Sequence, residues 1–309
     1  MERIPLRASV VSAGEDWNLA AAWHLRFAEA RGLSPHSLRH YRETLDRFLP
    51  FAEVKQLRPC DVKAQEIREF LLTLAALSPA TRNRYLRGLK AFFNSLVKEG
   101  FLPANPAAGL PMVREFRRVL PVLSPSQVQA LLRAIPPSTW MGRRDYALCV
   151  LLLDCGARIS EALGAGLADV DGAEGTLLVM GKGGKERRVP FGNLAKRSLA
   201  KWLAVRGEIP GQEALFVNRY GDRLGRERAH RLIAGYGKKA GIQGVRVSPH
   251  TFRYTFATMW LRNGGDLFTL QRILGHSSLE MVRRYAQQVV SDLQEKHRIY
   301  SPVDRLLRR

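Results

Sequence analysis

Six side chains in the second half of the chain fit the chemistry of one phosphodiester. In chain order they are Arg158, Lys182, His250, Arg253, His276 and Tyr285. Two guanidinium groups, an ammonium group and two imidazoles could surround one phosphate, and a tyrosine hydroxyl could attack it. The set therefore predicts a DNA strand exchanger that needs neither a metal ion nor a nucleotide cofactor.

His250 and Arg253 together indicate an anion site. They follow Pro249, where a helix is predicted to begin, and their spacing of three places both side chains on one helix face. A helix N-terminus attracts anions, and the arginine fork matches phosphate oxygens. A capping histidine or a salt-bridged arginine would explain either residue alone, but explains the pair less well.

Arg158 and His276 both lie at predicted breaks between helices. Arg158 follows Gly156, after a buried helix, and the next helix begins near Glu161. His276 likewise follows a glycine, Gly275, which should end a helix. Breaks of this kind project side chains out of the core, although a surface arginine at a helix junction would look the same.

Tyr285 and Lys182 have a plausible structural explanation when each is taken alone. Tyr285 has helical spacing, which is typical of a core aromatic, but its neighbours are arginines and glutamines rather than an apolar stripe. Lys182 and Lys185 lie in the glycine-rich turn 181–187, which lacks the context of a P-loop. The turn could carry a lysine into a groove or be a solvated hairpin tip.

The charge balance favours a nucleic-acid partner. Lys and Arg number 49 against 28 Asp and Glu, which gives a net charge of +21, and a cationic protein gains affinity by releasing counterions from phosphates. No signal peptide or membrane-length apolar run is visible. Cys60, Cys149 and Cys155 fit buried apolar positions better than a disulfide or metal site. A cytoplasmic, nucleoid-associated protein is therefore expected.

Local patterns predict a mainly α fold with a small antiparallel β-sheet. Serine-proline pairs at Ser34, Ser78 and Ser124 predict three helix starts. The other predicted elements are a buried helix over 145–154, a β-hairpin from 176–180 and 187–190, helices over 191–205 and 226–240, and helices after Ser248.

The same patterns divide the chain into five segments. They are a loose leader 1–16, a helical domain 17–103, a basic Pro-rich linker 104–122, a second domain 123–290 and a tail 291–309. Basic residues along the chain are candidates for DNA contact. They are Arg84, Arg87 and Lys90 on one helix, Arg114, Arg117 and Arg118 in the linker, and Lys185 in the turn.

The ordered motifs closely resemble the tyrosine recombinases of the phage-integrase and Xer type. The most specific pieces are His250-Thr-Phe-Arg253, Leu274-Gly-His276 and the downstream Tyr285, supported by Gly156-Ala-Arg158 and the turn 181–187. The resemblance covers roughly residues 145–287. It implies a helical core-binding domain in the first half and an α/β-containing catalytic domain in the second.

By resemblance, Tyr285 is the nucleophile that forms a 3′-phosphotyrosyl bond and releases a 5′-hydroxyl. Arg158 and Arg253 hold the non-bridging oxygens, and His276 adds a hydrogen bond to the phosphoryl group.

The remaining roles also come from the family. Lys182 is the general acid for the leaving oxygen, with Lys185 as a substitute, and His250 is the acid–base partner of the tyrosine. Glu161 braces the arginine and histidine side chains of the site.

The resemblance also implies the partners and leaves several functions open. It predicts double-stranded DNA with a specific recombination site and a tetramer on DNA. The C-terminal tail could be exchanged between neighbouring protomers or fold back on its own domain, and a partner recombinase or accessory protein stays open. Ala-Gln-Gln after Tyr285 departs from the Thr-His more usual in Xer-type proteins and favours a mobile-element integrase. The alternatives are a chromosome-dimer resolvase, a type IB topoisomerase-like enzyme, a non-catalytic DNA-binding regulator and a metal-dependent transposase.

Overall fold

The computed structural model describes residues 13–115, 121–181, 184–275, 278–280, 282, 297 and 301–307. These residues are mainly helical, with one small antiparallel sheet, which confirms the predicted fold class. The chain divides into two compact units, Met1–Arg117 and Arg118–Arg309. No helix within the described ranges has the length and apolar character to span a bilayer.

The first unit is a helical bundle. Its helices are α1 (Trp17–Ala30), α2 (Pro35–Val54), α3 (Ala64–Thr73) and α4 (Pro79–Lys98), with a 3₁₀ turn at Pro59–Asp61. Ser34 and Ser78 each accept a hydrogen bond from a main-chain N–H of the first turn, with proline at the first helical position, as predicted. Phe48, Phe70 and Phe93 are fully buried where these helices meet.

The start of the predicted linker contributes to this first core. Ala107 and Leu110 are buried among the apolar side chains of the bundle. Lys90 donates to the carbonyls of Ala108 and Leu110 at 3.1 and 2.8 Å. Ala107 and Leu110 therefore anchor this segment on the bundle, although Pro106 within it is typical of an open linker.

The second unit is built around a long buried helix. Its helices are α5 (Pro125–Arg133), α6 (Trp140–Cys155), α7 (Ile159–Gly164), α8 (Asn193–Arg206), α9 (Arg226–Lys239), α10 (Pro249–Arg262), α11 (Leu267–Leu274) and α12 (Pro302–Leu307). Helix α6 begins five residues before the buried helix predicted over 145–154, because Thr139 caps its first turn. Its residues from Ala147 to Leu152 are buried, as the run indicated.

The sheet has three strands in the order β1-β2-β3, all antiparallel. Strands β2 (Thr176–Met180) and β3 (Glu186–Pro190) form the predicted hairpin, with Leu178 opposite Arg188. Strand β1 (Val170–Asp171) is too short to leave an alternating pattern and was not predicted. The hairpin brings its glycine-rich turn to one end of the sheet.

Candidate catalytic site

Arg158 is held at the junction of α6 and α7. Gly156 ends α6 in the left-handed conformation with φ of 62°, and Arg158 lies at the N-cap of α7. Its side chain remains 38% exposed and donates from Nη1 to Oε1 of Glu161 at 2.8 Å. The sharp turn therefore presents this guanidinium at the surface while one of its nitrogens is fixed from behind.

Glu161 is the buried anion of the site. Its Oε2 accepts from the main-chain N–H of Arg158 at 2.8 Å, and both of its oxygens accept from Arg187. Burial acts to raise the pKa of Glu161, but hydrogen bonds from Arg187 and Arg158 outweigh it and hold that pKa below its ordinary value. The carboxylate is therefore ionised at neutral pH and can brace two guanidinium groups.

Arg253 links two chain segments that are distant in sequence. It is 4% exposed, and it donates from Nη1 to the carbonyl of Gly156 and from Nη2 to the carbonyl of Leu274, both at 2.7 Å. These carbonyls lie at the C-terminal ends of α6 and α11. Arg253 thus holds the chain leading to Arg158 and the chain leading to residue 276 at one place.

His250 lies in the first turn of α10, whose N-cap is Ser248. Its ring packs edge to face on Tyr254, with ring centroids 4.6 Å apart. Partial burial, then the charges of Arg253 and Arg158, lowers the pKa of His250 below 6.5. A histidine that is neutral at neutral pH can accept a proton.

Arg187 belongs to the same cluster, although its place in the turn motif 181–187 predicted no role for it at the site. It lies on β3 and donates from Nη1 and Nη2 to Glu161 at 3.0 and 2.9 Å, and from Nε to the carbonyl of Ile273 at 3.0 Å. Its strand position shares a face with the buried Val189. An arginine at an inward strand position signals a buried carboxylate partner, and this signal could have been read from the sequence.

The structure thus brings four predicted residues together, Arg158, Glu161, His250 and Arg253. Lys182, His276 and Tyr285 lie outside the described residues, and so do Arg117 and Arg118 of the DNA-binding set. Lys185 is exposed on the turn, which fits both a lysine that enters a groove and a solvated hairpin tip. No group of three or more potential metal-ligating side chains occurs in the described part of the chain.

The other basic residues predicted to contact DNA differ in how they are engaged. Arg84 is exposed, forms an ion pair with Glu43 and donates to Nδ1 of His40 at 3.1 Å. Arg87 and Arg114 are exposed, whereas the ammonium of Lys90 is occupied by the two carbonyls described above. Arg87 therefore presents its charge outward on α4, while Lys90 has a clear structural use.

Comparison with known proteins identifies the family. Residues 121–291 match the phage integrase family, and residues 21–100 match the phage integrase N-terminal SAM-like domain. The tyrosine recombinase XerC of Thermodesulfovibrio yellowstonii is 36% identical over 264 residues, which cover 82% of this chain and 86% of that protein. XerC of Shewanella amazonensis is 36% identical over 291 residues, covering 91% and 95%.

A solved structure has the same fold. The XerH site-specific recombinase bound to a palindromic difH substrate superposes with a TM-score of 0.74 at 22% identity, over 94% of this chain and 85% of that one. The chain therefore belongs to the phage integrase family, the tyrosine recombinases. This membership confirms the resemblance inferred from the sequence motifs and the predicted class, a site-specific tyrosine recombinase.

Proposed function

We propose that this protein cuts and rejoins double-stranded DNA at a specific site through a phosphotyrosyl intermediate on Tyr285. The observation that carries the proposal is the cluster of the partly exposed Arg158, the buried Arg253 and His250, with the buried Glu161 bonded to Arg158. Fixed positive donors around a phosphate stabilise the charge that develops on its oxygens during transfer. This cluster is therefore suited to phosphoryl transfer. A protein that acts on genomic DNA is expected in the cytoplasm, on the nucleoid.

The cleavage step is a transesterification in which the tyrosine replaces the 5′-oxygen on phosphorus. The Tyr285 hydroxyl attacks phosphorus, the P–O5′ bond breaks, and the tyrosine–phosphate bond replaces it. Neutral His250 takes the phenol proton, and Lys182, or Lys185 on the same turn, gives a proton to the leaving 5′-oxygen. Because the phosphotyrosyl bond conserves the energy of the original diester, a 5′-hydroxyl can reverse the step without ATP.

Two arginines carry the electrostatic part of this reaction. The exposed fork of Arg158 and the buried Arg253 hold the non-bridging oxygens, and His276 adds a further hydrogen bond. Arg253 is rigid because two main-chain carbonyls fix its fork. A fixed donor needs no reorganisation when the transition state forms.

Strand exchange between two duplexes requires several protomers, and we propose a tetramer on DNA with exchanged C-terminal tails. In α12, Val303 and Leu306 are 60% and 82% exposed. Side chains three residues apart share a helix face, so this pair presents an apolar stripe that a neighbouring protomer could cover.

The proposed chemistry can be tested by trapping the covalent intermediate. Purified protein is mixed with sheared genomic DNA of the source organism in chelator, denatured, digested and analysed by mass spectrometry. A nucleotide adduct on Tyr285 is expected, and Tyr285→Phe should give none because it lacks the attacking oxygen. An adduct on another residue, or cleavage that stops in chelator, would contradict the mechanism.

The same experiment addresses the biological role. Sequencing the trapped DNA should return one short site, either at the ends of a mobile element or at a chromosomal resolution site. The curated relatives are XerC proteins, which favours the second, whereas Ala-Gln-Gln after Tyr285 favours the first. Two such sites on one plasmid should give recombined products, whereas relaxation alone would indicate a topoisomerase.

A further inference from the structure

Arg187 joins three parts of the site that are far apart in the sequence. It is 15% exposed and extends from β3, the strand that follows the lysine-bearing turn. Two of its nitrogens bind Glu161, which lies behind Arg158, and the third binds the carbonyl of Ile273 near the end of α11. One guanidinium thus spans the hairpin, α7 and the segment that leads to residue 276.

Gly275 shows how closely this guanidinium is packed. A Cβ atom placed on Gly275 would lie 2.9 Å from Cζ and Nε of Arg187. Gly275 also has φ of 62°, in the left-handed region that favours glycine. The chain therefore passes directly against Arg187 one residue before His276.

The charges of the cluster give Arg187 a second effect. Glu161 is 3% exposed and accepts hydrogen bonds from both Arg158 and Arg187. With Arg187 present, its largely buried cation compensates the charge of the Glu161 carboxylate, so the positive charge of Arg158 can interact with an incoming phosphate. Without Arg187, Glu161 would be neutralised by Arg158 alone, because a buried carboxylate strongly favours a paired cation.

We infer that Arg187 is a positioning residue that makes Arg158 available to the scissile phosphate and ties β3 to α7 and to the C-terminal end of α11. This inference rests on the proposed function and adds a residue to it. Arg187 acts through Glu161 and the main chain rather than by touching DNA. Its loss should therefore slow the cleavage step much more than it weakens DNA binding.

The test compares Arg187→Gln with Arg188→Gln, an exposed arginine on the same strand. Single-turnover formation of the Tyr285 adduct and the dissociation constant for the same duplex are measured for each. We expect Arg187→Gln to slow adduct formation on the order of 10²-fold, as a small misplacement of reacting groups does, with the dissociation constant changed less than about 3-fold. Arg188→Gln should have the same rate of adduct formation and the same dissociation constant as the parent protein.

A double variant separates the charge effect from a general loss of structure. In Arg187→Gln with Glu161→Gln, no carboxylate competes for Arg158, so the rate should rise above that of Arg187→Gln alone. A purely structural role predicts the opposite, since two buried partners are then lost. Arg187→Lys keeps the positive charge without the planar guanidinium, so its rate of adduct formation should fall between those of the parent protein and Arg187→Gln. If Arg187→Gln does not fold, Arg187→Lys takes its place in the comparison.

The outcomes distinguish this inference from the proposed function. If the parent protein forms no Tyr285 adduct, the proposed function fails. If the parent forms the adduct and folded Arg187→Gln forms it equally fast, only the role of Arg187 is refuted. A double variant slower than Arg187→Gln would overturn the charge argument.

Discussion

Gly156 occupies the left-handed region with φ of 62°, and a Cβ there would overlap the ring of Phe256. The left-handed backbone and the lack of space for a Cβ both make any other residue at position 156 destabilising. Gly156→Ala should therefore lower the free energy of unfolding by about 2 kcal/mol or more. Chemical denaturation followed by circular dichroism would measure the change.

The matched control for this prediction is Gly164→Ala in the neighbouring helix α7. Open space surrounds the position of its Cβ, and its φ is not in the left-handed region. This variant should stay within about 0.5 kcal/mol of the parent protein. Equal destabilisation of the two variants would contradict the explanation.

His24 should make the first unit less stable in acid. It is buried with Nδ1 2.8 Å from Ser95 Oγ, and its Nε2 has no hydrogen-bond partner among the described residues. Burial lowers the pKa of His24 from 6.5 to about 4. Between these values the unfolded chain binds more protons than the folded one, so stability is lost as pH falls from 6.5 to 4, by about 3 kcal/mol from this group.

The measurement is the free energy of unfolding across that pH range for the parent and for His24→Gln. Carboxylates also titrate there, so the difference between the two profiles is the informative quantity. We expect a flatter profile in the variant, because glutamine has no proton to gain. Parallel profiles would show that His24 does not carry the effect.

At the scale of elements, helices α2 and α4 approach closely where Gly88 faces Thr44. Both residues are buried, and a Cβ on Gly88 would overlap the Thr44 side chain. Gly88→Ala should therefore force the helices apart and cost about 1–3 kcal/mol, although alanine has the higher helix propensity. Thermal unfolding would measure this cost.

Two comparisons isolate the helix contact. Gly235→Ala, exposed in α9 with open space around it, should stabilise the protein by roughly 0.5–1 kcal/mol. Adding Thr44→Ala to Gly88→Ala should recover part of the loss, because the two side chains compete for one space. Strict additivity of the two changes would argue against a direct clash.

At the scale of the whole molecule, the net charge of +21 should dominate non-specific DNA binding. If six or more phosphates are contacted, affinity should fall on the order of 10³-fold or more between 50 and 200 mM salt. Fluorescence anisotropy with a random duplex would measure the slope. If the exposed guanidinium of Arg87 contacts a phosphate, Arg87→Gln should make the slope of log affinity against log salt concentration shallower by about one. An affinity that does not change with salt would contradict the expectation.

Features that depend on neighbours a few residues apart could be predicted from the sequence. The serine-proline helix starts at Ser34, Ser78 and Ser124 and the hairpin of β2 and β3 all follow from such local interactions. Residue types and their order likewise indicated the family and four clustered site residues. The charge and its preference for a polyanion also needed only composition.

Contacts between groups that are distant in the sequence emerged only in the folded protein. Arg253 binds carbonyls 97 and 21 residues away, and Arg187 binds Glu161 and Ile273 at separations of 26 and 86 residues. The use of Lys90 to hold residues 108 and 110 is another such contact. These pairings arise because packing of the apolar core brings helix ends and a strand to one place, and no local pattern encodes which carbonyl a buried guanidinium will find there.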